Sequence, residues 1–535
     1  MIVTWLTLAV ILVATVASII LRLYQAFVLH RKRKALMQSK GSLRPPWNIH
    51  AASPLARPWM ILLYAKAFAE NRIPSLLAHI LLSDGRGTTK SFFVTQKVII
   101  TMDPDNVQTM LALEHEKWAY SSRHSVALEA SFGRGIFSTH GADWKQCRRI
   151  IRPCFSRIRV NNVNRLEAHV SRLLSHIPPN GATVDLSDLF YRLTMDSTME
   201  FFLDEATCEL SRVDGRHPLS ESLDQTVDKL SLTFGVPLWQ YLGFLFKQSK
   251  DTQAIHGFVD GQVQGVLARR QELLAQGAKL SSRYRLIEQL IRESDDAQRI
   301  RSQLLHVIFA SRDTTASLLA SIWSFLARRG DVWQKLQAEV AVLKGERPGH
   351  EDIEKFDYLR AVVNEVLRLR PPVPNEEKMA TEDTTLPRGG GPDGSAPLFV
   401  KKGEVVNWCL SAMHRRRDYF GDDADYFRPE RWLDDEATGV KALRPGWEYL
   451  PFSGGAHSCL GQQLGYLTAG YVTVRLCQLY DGIENRDNSY WKEAFLLVTR
   501  NLNGTKVGLF ARDVAGQQTA GKDDDSEKNA TQVAT

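Results

Sequence analysis

The sequence has few cysteines, and their spacing argues against the usual cysteine-rich sites. The 535 residues include six cysteines, at positions 147, 154, 208, 409, 459 and 477, and no two of them form a C-x-x-C pair. A zinc site, a dithiol redox motif or a disulfide framework is therefore not predicted. Sparse cysteines are typical of a reducing compartment such as the cytosol, where a single thiolate can serve as a metal ligand.

The sequence also lacks a strong excess of charge of either sign. Lysine and arginine together number 67 against 60 aspartates and glutamates, which gives a net charge of +7. This mild balance favours acidic partners or anionic membrane surfaces, but it is too small for a dedicated nucleic-acid binder. We predict no nucleic-acid partner.

Most of the chain lacks sequence features that separate domains. Hydrophobic residues make up 44% of the composition, and no repeat, low-complexity stretch or second proline-rich linker interrupts positions 49–512. That composition can fill one very large core, and we predict a single large domain over residues 49–512. Residues 513–535 contain almost no large apolar side chain, so we predict a disordered tail there.

The N-terminal region carries a long hydrophobic run. Ile2 to Leu21 is twenty residues without a charge, enough to cross a hydrocarbon core of about 30 Å as a helix. A cleaved signal peptide is the alternative, but no basic residue precedes the run, and the run exceeds the usual apolar region of about 7–15 residues in such signals. We predict a transmembrane anchor over 1–29 and a basic linker over 30–48 that includes the proline break "LRPPWN". Arg22 and Arg31–Lys34 follow the run, so the positive-inside rule predicts a cytosolic body.

Helical periodicity dominates the predicted domain, and strand-like runs such as "SFFVTQKVIITM" and "PLFVKKGEVVNWC" add a smaller β region. One helix is predicted from Ser294 to Gly330, because Ser and two Asp stand at its start and Arg-Arg-Gly at its end. At about 1.5 Å per residue it would span roughly 50 Å, enough to traverse the domain.

The middle of this long helix contains residues that packing alone does not explain. Ala310 and Thr314 lie four residues apart, on one stripe where a flat ligand could approach and be hydrogen-bonded. Arg312 and Asp313 are expected on a solvated face unless they are paired, since unpaired charges inside a core are costly.

Four motifs follow one another along the chain: "ASRDTT" from Ala310, "EVLR" from Glu365, "FRPERW" from Phe427 and "FSGGAHSCLG" from Phe452. In this order and at these separations they resemble the signature set of the cytochrome P450 haem-thiolate monooxygenases. The resemblance covers nearly the whole chain after the anchor. It implies the cytochrome P450 fold, mainly α with a smaller β region, and a haem cofactor whose iron is bound by Cys459. An axial thiolate favours cleavage of the O–O bond over reversible oxygen binding.

The same resemblance assigns roles around the cofactor. Phe452 would shield the sulfur, and Gly454 and Gly461 would let the backbone fold tightly around it. The remaining predicted cofactor-binding residues would meet the haem propionates, and they are Trp144, Arg148, Lys378 and His457. His457 occupies the position of a usual Arg, and Lys378 replaces the propionate-binding Arg of a related group.

Oxygen activation is assigned to Asp313 and Thr314, which match the family's acid–alcohol pair for proton relay. Ser311 replaces a common glycine, and its hydroxyl is expected to bond back to a helix carbonyl. Glu365, Arg368 and Arg431 match a structural ion-pair cluster that supports the fold.

The implied partners are a membrane, a lipophilic small-molecule substrate and an NADPH-dependent reductase. The basic residues Lys145, Arg149, Arg152 and Arg157 either form a solvated face or dock an acidic flavoprotein reductase. The implied location is the endoplasmic-reticulum membrane, with a single-pass anchor and a cytosolic catalytic domain.

The segment "TTLPRGGGPDGSAPLFV" resembles the fungal enzymes that hydroxylate the ends of alkanes and fatty acids, and such terminal hydroxylation is the expected activity. Glu376 and Glu377 depart from that group and would repel a fatty carboxylate if they faced the pocket. The alternatives are hydroxylation of another lipophilic metabolite in fungal secondary metabolism, a haem-thiolate isomerase that needs no reductase, and a non-catalytic haem-binding or scaffold protein. Leu232 to Phe246, rich in large apolar side chains, is either a core helix or a membrane-dipping lid.

Overall fold

The computed structural model describes residues 2–48, 56–93, 96–156, 162–203, 207–212, 216–235, 249–276, 286–489, 491–494 and 497–512. The predicted tail over 513–535, most of the apolar segment 232–246 and Arg157 lie outside the described residues.

Helices make up most of the described chain, as predicted. In chain order they are α1 Ile2–Lys40, α2 Ala56–Ala69, α3 Ile73–Asp84, α4 Pro104–Gln108, α5 Ser122–Phe132, α6 Gly141–Ser156, α7 Asn162–Leu174, α8 Leu186–Leu203, α9 Pro218–Gly235, α10 Lys250–Ala275, α11 Leu286–Glu293, α12 Ala297–Leu326, α13 Gly330–Val340, α14 His350–Lys355, α15 Asp357–Leu369, α16 Leu410–Met413, α17 Arg417–Phe420 and α18 Gln462–Leu479. The strands are β1 Thr88–Phe93, β2 Gln96–Thr101, β3 Trp118–Ala119, β4 Asn180–Asp185, β5 Asn375–Ala380, β6 Thr384–Gly390, β7 Ala396–Val400, β8 Val405–Cys409, β9 Tyr480–Asn485, β10 Glu493–Ala494, β11 Arg500–Asn501 and β12 Lys506–Ala511.

The long helix α12 forms the centre of the helical mass. Asp296 caps it by accepting hydrogen bonds from the backbone N–H groups of Gln298 and Arg299, so the helix begins three residues later than predicted. Its C-terminal half buries Ile322 and Trp323 completely in the largest hydrophobic core. Burial of a large apolar side chain such as Ile322 stabilises the folded state by roughly 1.5–3 kcal/mol. This packing fixes the stripe of α12 that carries the "ASRDTT" motif.

The two strand-like runs predicted from the sequence form β1 with β2 and β7 with β8. The largest sheet has five strands in the order β1-β2-β8-β5-β3. In it β5 pairs antiparallel with β8, with Lys378 opposite Val406 and Glu376 opposite Trp408. This pairing fixes the side chains of residues 376–378 at one end of the helical mass.

Helix α1 is longer than the predicted anchor and continues through the basic cluster to Lys40. Its segment Ile11–Lys40 is long and apolar enough to cross a membrane, with apolar side chains that protein does not cover. Arg33, near its end, donates to both carboxylate oxygens of Asp383 at 2.8 and 3.1 Å. The boundary expected at 29/30 therefore does not coincide with the end of the helix.

Candidate active site

A cavity of about 410 Å³ lies between α12, α6, β5 and the loop that contains Cys459. It has the size of a ligand pocket. Seven of the eight residues predicted to act at the site line it, and they are Trp144, Arg148, Thr314, Lys378, Phe452, His457 and Cys459. The eighth, Asp313, does not belong to the wall formed by the described residues.

The cysteine loop points Cys459 at this cavity. The Cys459 N–H donates to the Phe452 carbonyl at 2.9 Å, which closes the loop, and helix α18 begins at Gln462, directly after the loop. Cys459 is accessible, and the accessible surface of its side chain faces the cavity. Protein surrounds the thiol on its other sides. Burial raises the pKa of the Cys459 thiol, while the Gly461 and Gln462 amides and Arg148 act in the opposite direction. A bound metal ion is the group that would hold such a thiol as a thiolate.

Two glycines let the loop pack closely, although one of them was not predicted. A Cβ on Gly454 would lie 2.7 Å from the Trp447 ring, and a Cβ on Gly455, where φ is +58°, would lie 2.2 Å from the Leu111 carbonyl oxygen. At Gly461 a Cβ would make only ordinary contacts, 3.8 Å from Cys459 Sγ. The steric requirement for glycine therefore lies before the cysteine rather than after it.

Aromatic and basic side chains share another part of the wall. The rings of Trp144 and His457 stack with centroids 4.1 Å apart, and Arg148 Nη2 donates to Ser458 Oγ at 3.2 Å. Burial, followed by the charges of Lys378 and Arg148, lowers the pKa of His457 to about 3. His457 is therefore a neutral donor here rather than a pH-sensitive cation.

Lys378 supplies the best test of whether an anionic cofactor fits. The residue is 2% exposed, and among the described residues its Nζ has no hydrogen-bond partner. The Nζ lies 3.5 Å from the centroid of the Tyr120 ring, a contact that no sequence motif indicated. Burial lowers the pKa of Lys378 to about 7, against the opposing effects of Glu376 and Glu377. A buried ammonium on a cavity wall is satisfied by a carboxylate of a bound group, so these residues fit haem.

The α12 stripe faces the same cavity. Ala310, Ser311 and Thr314 line it, which confirms the predicted stripe, and Thr314 Oγ1 donates to the Ala310 carbonyl at 2.6 Å. The expectation for Ser311 was wrong. Its hydroxyl accepts from Thr198 Oγ1 at 3.1 Å and so bridges α12 to α8 instead of bonding back to its own helix.

Arg312 and Asp313 are buried and paired, so the second of the two expectations, a paired cluster rather than a solvated face, applies. Arg312 Nη1 lies 2.9 Å from Asp313 Oδ1, and the two side chains are 1% and 7% exposed. Burial raises the pKa of Asp313 to about 6, because desolvation outweighs the opposing charge of Arg312. Asp313 is thus a carboxyl that can change protonation near neutral pH.

Glu376 and Glu377 both line the cavity. Glu376 accepts from Ser453 Oγ at 3.3 Å, and burial raises its pKa to about 7. Glu377 accepts from Ser121 and lies 3.3 Å from Arg123 Nη2. One acid is therefore paired with a cation, and the other lies against the cysteine loop.

The predicted structural ion-pair cluster of Glu365, Arg368 and Arg431 is present. Glu365 accepts from Arg368 Nε and Nη2, each at 2.8 Å, and from Arg431 Nε at 3.0 Å. Arg368 also donates to the carbonyls of His414 and Ala424 at 2.9 and 2.5 Å. The cluster therefore ties α15 to the segment that leads into the cysteine loop.

Comparison with known proteins agrees with this geometry. The family model for cytochrome P450 matches residues 54–501. Cytochrome P450 monooxygenase himC of Aspergillus japonicus is 40% identical over 79% of this chain and 76% of its own. Cytochrome P450 monooxygenase fsdH of Fusarium heterosporum is 36% identical over 79% and 75%, and cytochrome P450 52A12 of Debaryomyces hansenii is 35% identical over 76% and 80%. The chain therefore belongs to the cytochrome P450 family of monooxygenases, which use haem with a cysteine thiolate ligand and electrons supplied by a reductase.

Proposed function

We propose that this protein hydroxylates the terminal carbon of an alkane or fatty-acid chain, with Cys459 as the ligand of the haem iron. The observation that carries the proposal is that Cys459, Lys378 and Thr314 all line the same cavity. Haem bound there would supply oxygen activation, and the thiolate would favour O–O cleavage. Trp144, Arg148, Lys378 and His457 would hold the propionates, and Phe452 would shield the sulfur.

Thr314 and Asp313 have separate tasks in this proposal. Thr314 lies on the cavity wall, and its hydroxyl would hold a proton donor on the side of the cavity where haem would activate oxygen. Asp313 lies behind the wall with a pKa raised to about 6, so it would exchange protons near the operating pH, as a general acid requires. The presence of both residues favours a reductase-dependent monooxygenase over an isomerase or a non-catalytic haem protein.

The substrate would be apolar along most of its length. Much of the cavity wall is hydrophobic, and it includes Leu128, Ile136, Val307, Leu318, Leu497 and Val498. The glycine-rich insert that ends in "GGGPDG" supports the comparison with the alkane and fatty-acid hydroxylases. Glu376 on the same wall disfavours a free carboxylate, so an alkane or an ester should bind better than a free acid. This acid also supports the second candidate, another lipophilic metabolite of fungal secondary metabolism.

The proposed arrangement is an anchor over 1–29, a linker over 30–48 and a catalytic domain over 49–512 in the cytosol at the endoplasmic reticulum. An NADPH-dependent reductase would supply the electrons. Lys145 and Arg149 are exposed on α6, and each pairs with an acid, Glu116 at 2.9 Å and Glu293 at 3.2 Å. These ion pairs are solvated and weak, so an acidic partner could displace them.

The proposal is tested with the purified full-length protein, an NADPH-dependent reductase and lipid. An alkane, a free fatty acid and its methyl ester of matched chain length are compared by substrate-induced spectral shift and product position. We expect terminal alcohols from the alkane and the ester, weaker binding of the acid, and tighter binding of the acid to Glu376→Gln. If no chain is oxidised at its end while other lipophilic compounds are, the substrate assignment is wrong. NADPH-independent turnover of a peroxide alone would favour the isomerase.

A further inference from the structure

A buried chain of alternating charges lies behind the cavity wall and ends at Asp313. Arg312 Nη1 donates to Asp313 Oδ1 at 2.9 Å and to Asp224 Oδ1 at 2.7 Å. Asp224 Oδ2 accepts from Arg216 Nη1 at 2.7 Å, and Arg216 Nε donates to Asp188 Oδ1 at 3.0 Å. Side-chain exposure falls from 41% at Asp188 to 29% at Arg216, 16% at Asp224 and 1% at Arg312. The chain therefore leads from the surface to Asp313.

One guanidinium in this chain is shared between two carboxylates. Arg312 cannot lose its proton, so its charge is divided between Asp313 on its own helix and Asp224 on α9. Burial alone would raise the pKa of Asp224, but Arg312 and Arg216 hold it below its ordinary value. The pKa of Asp313, in contrast, is raised by burial. Two carboxylates whose environments separate their pKa values in this way take different roles.

We propose that Arg312 and Asp224 are positioning residues for oxygen activation. Arg312 stabilises the ionised carboxylate of Asp313. Asp224 binds the same guanidinium and so weakens this stabilisation, which lets Asp313 take up a proton. This rests on the proposed proton-relay role of Asp313. Neither Arg312 nor Asp224 touches the reacting atoms in this scheme, and both act through Asp313.

Arg500 and Tyr191 also interact with Asp313, Asp228 interacts with Asp224 and Arg500, and all three remain in every variant tested. Arg312 lies 5.4 Å from the centroid of the Tyr191 ring on α8, and Arg500 on β11 lies 5.7 Å from the same ring. Asp228, one turn beyond Asp224 on α9, has its pKa raised by burial. Because these groups are unchanged, a difference between variants reports on the Arg312 and Asp224 contacts.

The two substitutions should move the protonation of Asp313 in opposite directions. In Asp224→Asn, no second carboxylate competes for Arg312, so Arg312 stabilises ionised Asp313 more strongly and the pH at which Asp313 protonates falls. In Arg312→Gln, Asp313 loses its cation, so that pH rises. A contact charge shifts a carboxyl by about one unit or more. Loss of packing alone would not give shifts of opposite sign.

The experiment uses the haem-loaded full-length enzyme with its reductase and an oxidised substrate. The first readout is the pH profile of product formed per NADPH. The second is an infrared pH titration of the carboxyl C=O stretch, assigned to Asp313 by its loss in Asp313→Asn. Arg312→Lys should return the profile toward wild type, and Asp188→Asn, the matched control at the exposed end, should leave it in place.

Opposite shifts in both readouts support the proposal. Shifts of the same sign, or none, in Asp224→Asn and Arg312→Gln overturn it, while uncoupling in Asp313→Asn would still leave the proposed function standing. Unchanged coupling in Asp313→Asn overturns the relay role itself. If Arg312→Gln fails to load haem, Asp224→Asn decides alone, because only a fall in the pH at which Asp313 protonates agrees with the proposal.

Discussion

Substitution of Glu365 by Ala tests what holds the cysteine loop in place. The Glu365 carboxylate accepts five hydrogen bonds, from Arg368 Nε and Nη2, Arg431 Nε, Trp432 Nε1 and the Arg428 backbone, at 2.8 to 3.0 Å. The side chains of Arg368 and Arg431 are 0% and 1% exposed. Removal of Glu365 leaves the buried guanidinium of Arg368 without a carboxylate and leaves Arg431 with Asp423 alone, at 3.2 Å, which costs about 3–5 kcal/mol. That is a large part of the about 5–15 kcal/mol that stabilises a typical domain.

The assay compares urea denaturation of the haem-loaded proteins, followed by far-ultraviolet circular dichroism and by the carbon-monoxide band of the thiolate complex. We expect a much lower yield of haem-loaded protein and a lower denaturation midpoint for Glu365→Ala. Glu116→Ala removes an exposed carboxylate that is paired with Lys145, and it is the matched control expected to behave as wild type. Equal yields and midpoints for the two variants would refute the reasoning.

Three further predictions follow from the site, from a buried histidine and from the topology. Thr314→Ala should keep haem and substrate binding while electrons are diverted to hydrogen peroxide, and unchanged coupling of NADPH to product would exclude the relay role. His306 accepts from the Phe137 N–H at 3.3 Å and donates to the Gly133 carbonyl at 3.0 Å, and burial lowers its pKa to about 4. The unfolded state then binds more protons than the folded state between the ordinary pKa of about 6.5 and about 4, so stability should fall as pH falls through this window. His306→Asn should flatten that dependence in denaturation midpoints, and an unchanged slope would contradict the assignment. The sequons at Asn503 and Asn529 should stay unglycosylated in a eukaryotic host, and a mobility change on glycosidase treatment would place the domain in the lumen.

Motif residues were predictable because their chemistry dictates short, fixed spacings. The loop "FSGGAHSCLG" and the stripe of Ala310 and Thr314 are each local patterns, in which the backbone alone sets how neighbouring side chains are placed. The long helix was also predictable, but Asp296 rather than Ser294 caps it, because either acid or hydroxyl side chain can satisfy the first amides of a helix.

Long-range contacts were not predictable from the same patterns. Asp224 lies 88 residues from Arg312 on a helix with no motif of its own, so the sequence did not show which acid pairs with Arg312. Thr198 lies 113 residues from Ser311, and Tyr120 is farther still from Lys378 along the chain. Each of these contacts depends on which helices, strands and loops pack together, and many polar residues of the sequence would satisfy the same pattern.

The central claim is that Cys459 binds the haem iron as a thiolate. The most direct measurement is the reduced carbon-monoxide difference spectrum of the full-length protein beside that of Cys459→Ser, with Cys477→Ser, a buried cysteine in α18, as the matched control. We predict the thiolate-type band in wild type and in Cys477→Ser, and its loss in Cys459→Ser. A thiolate-type band that persists in Cys459→Ser would contradict the account.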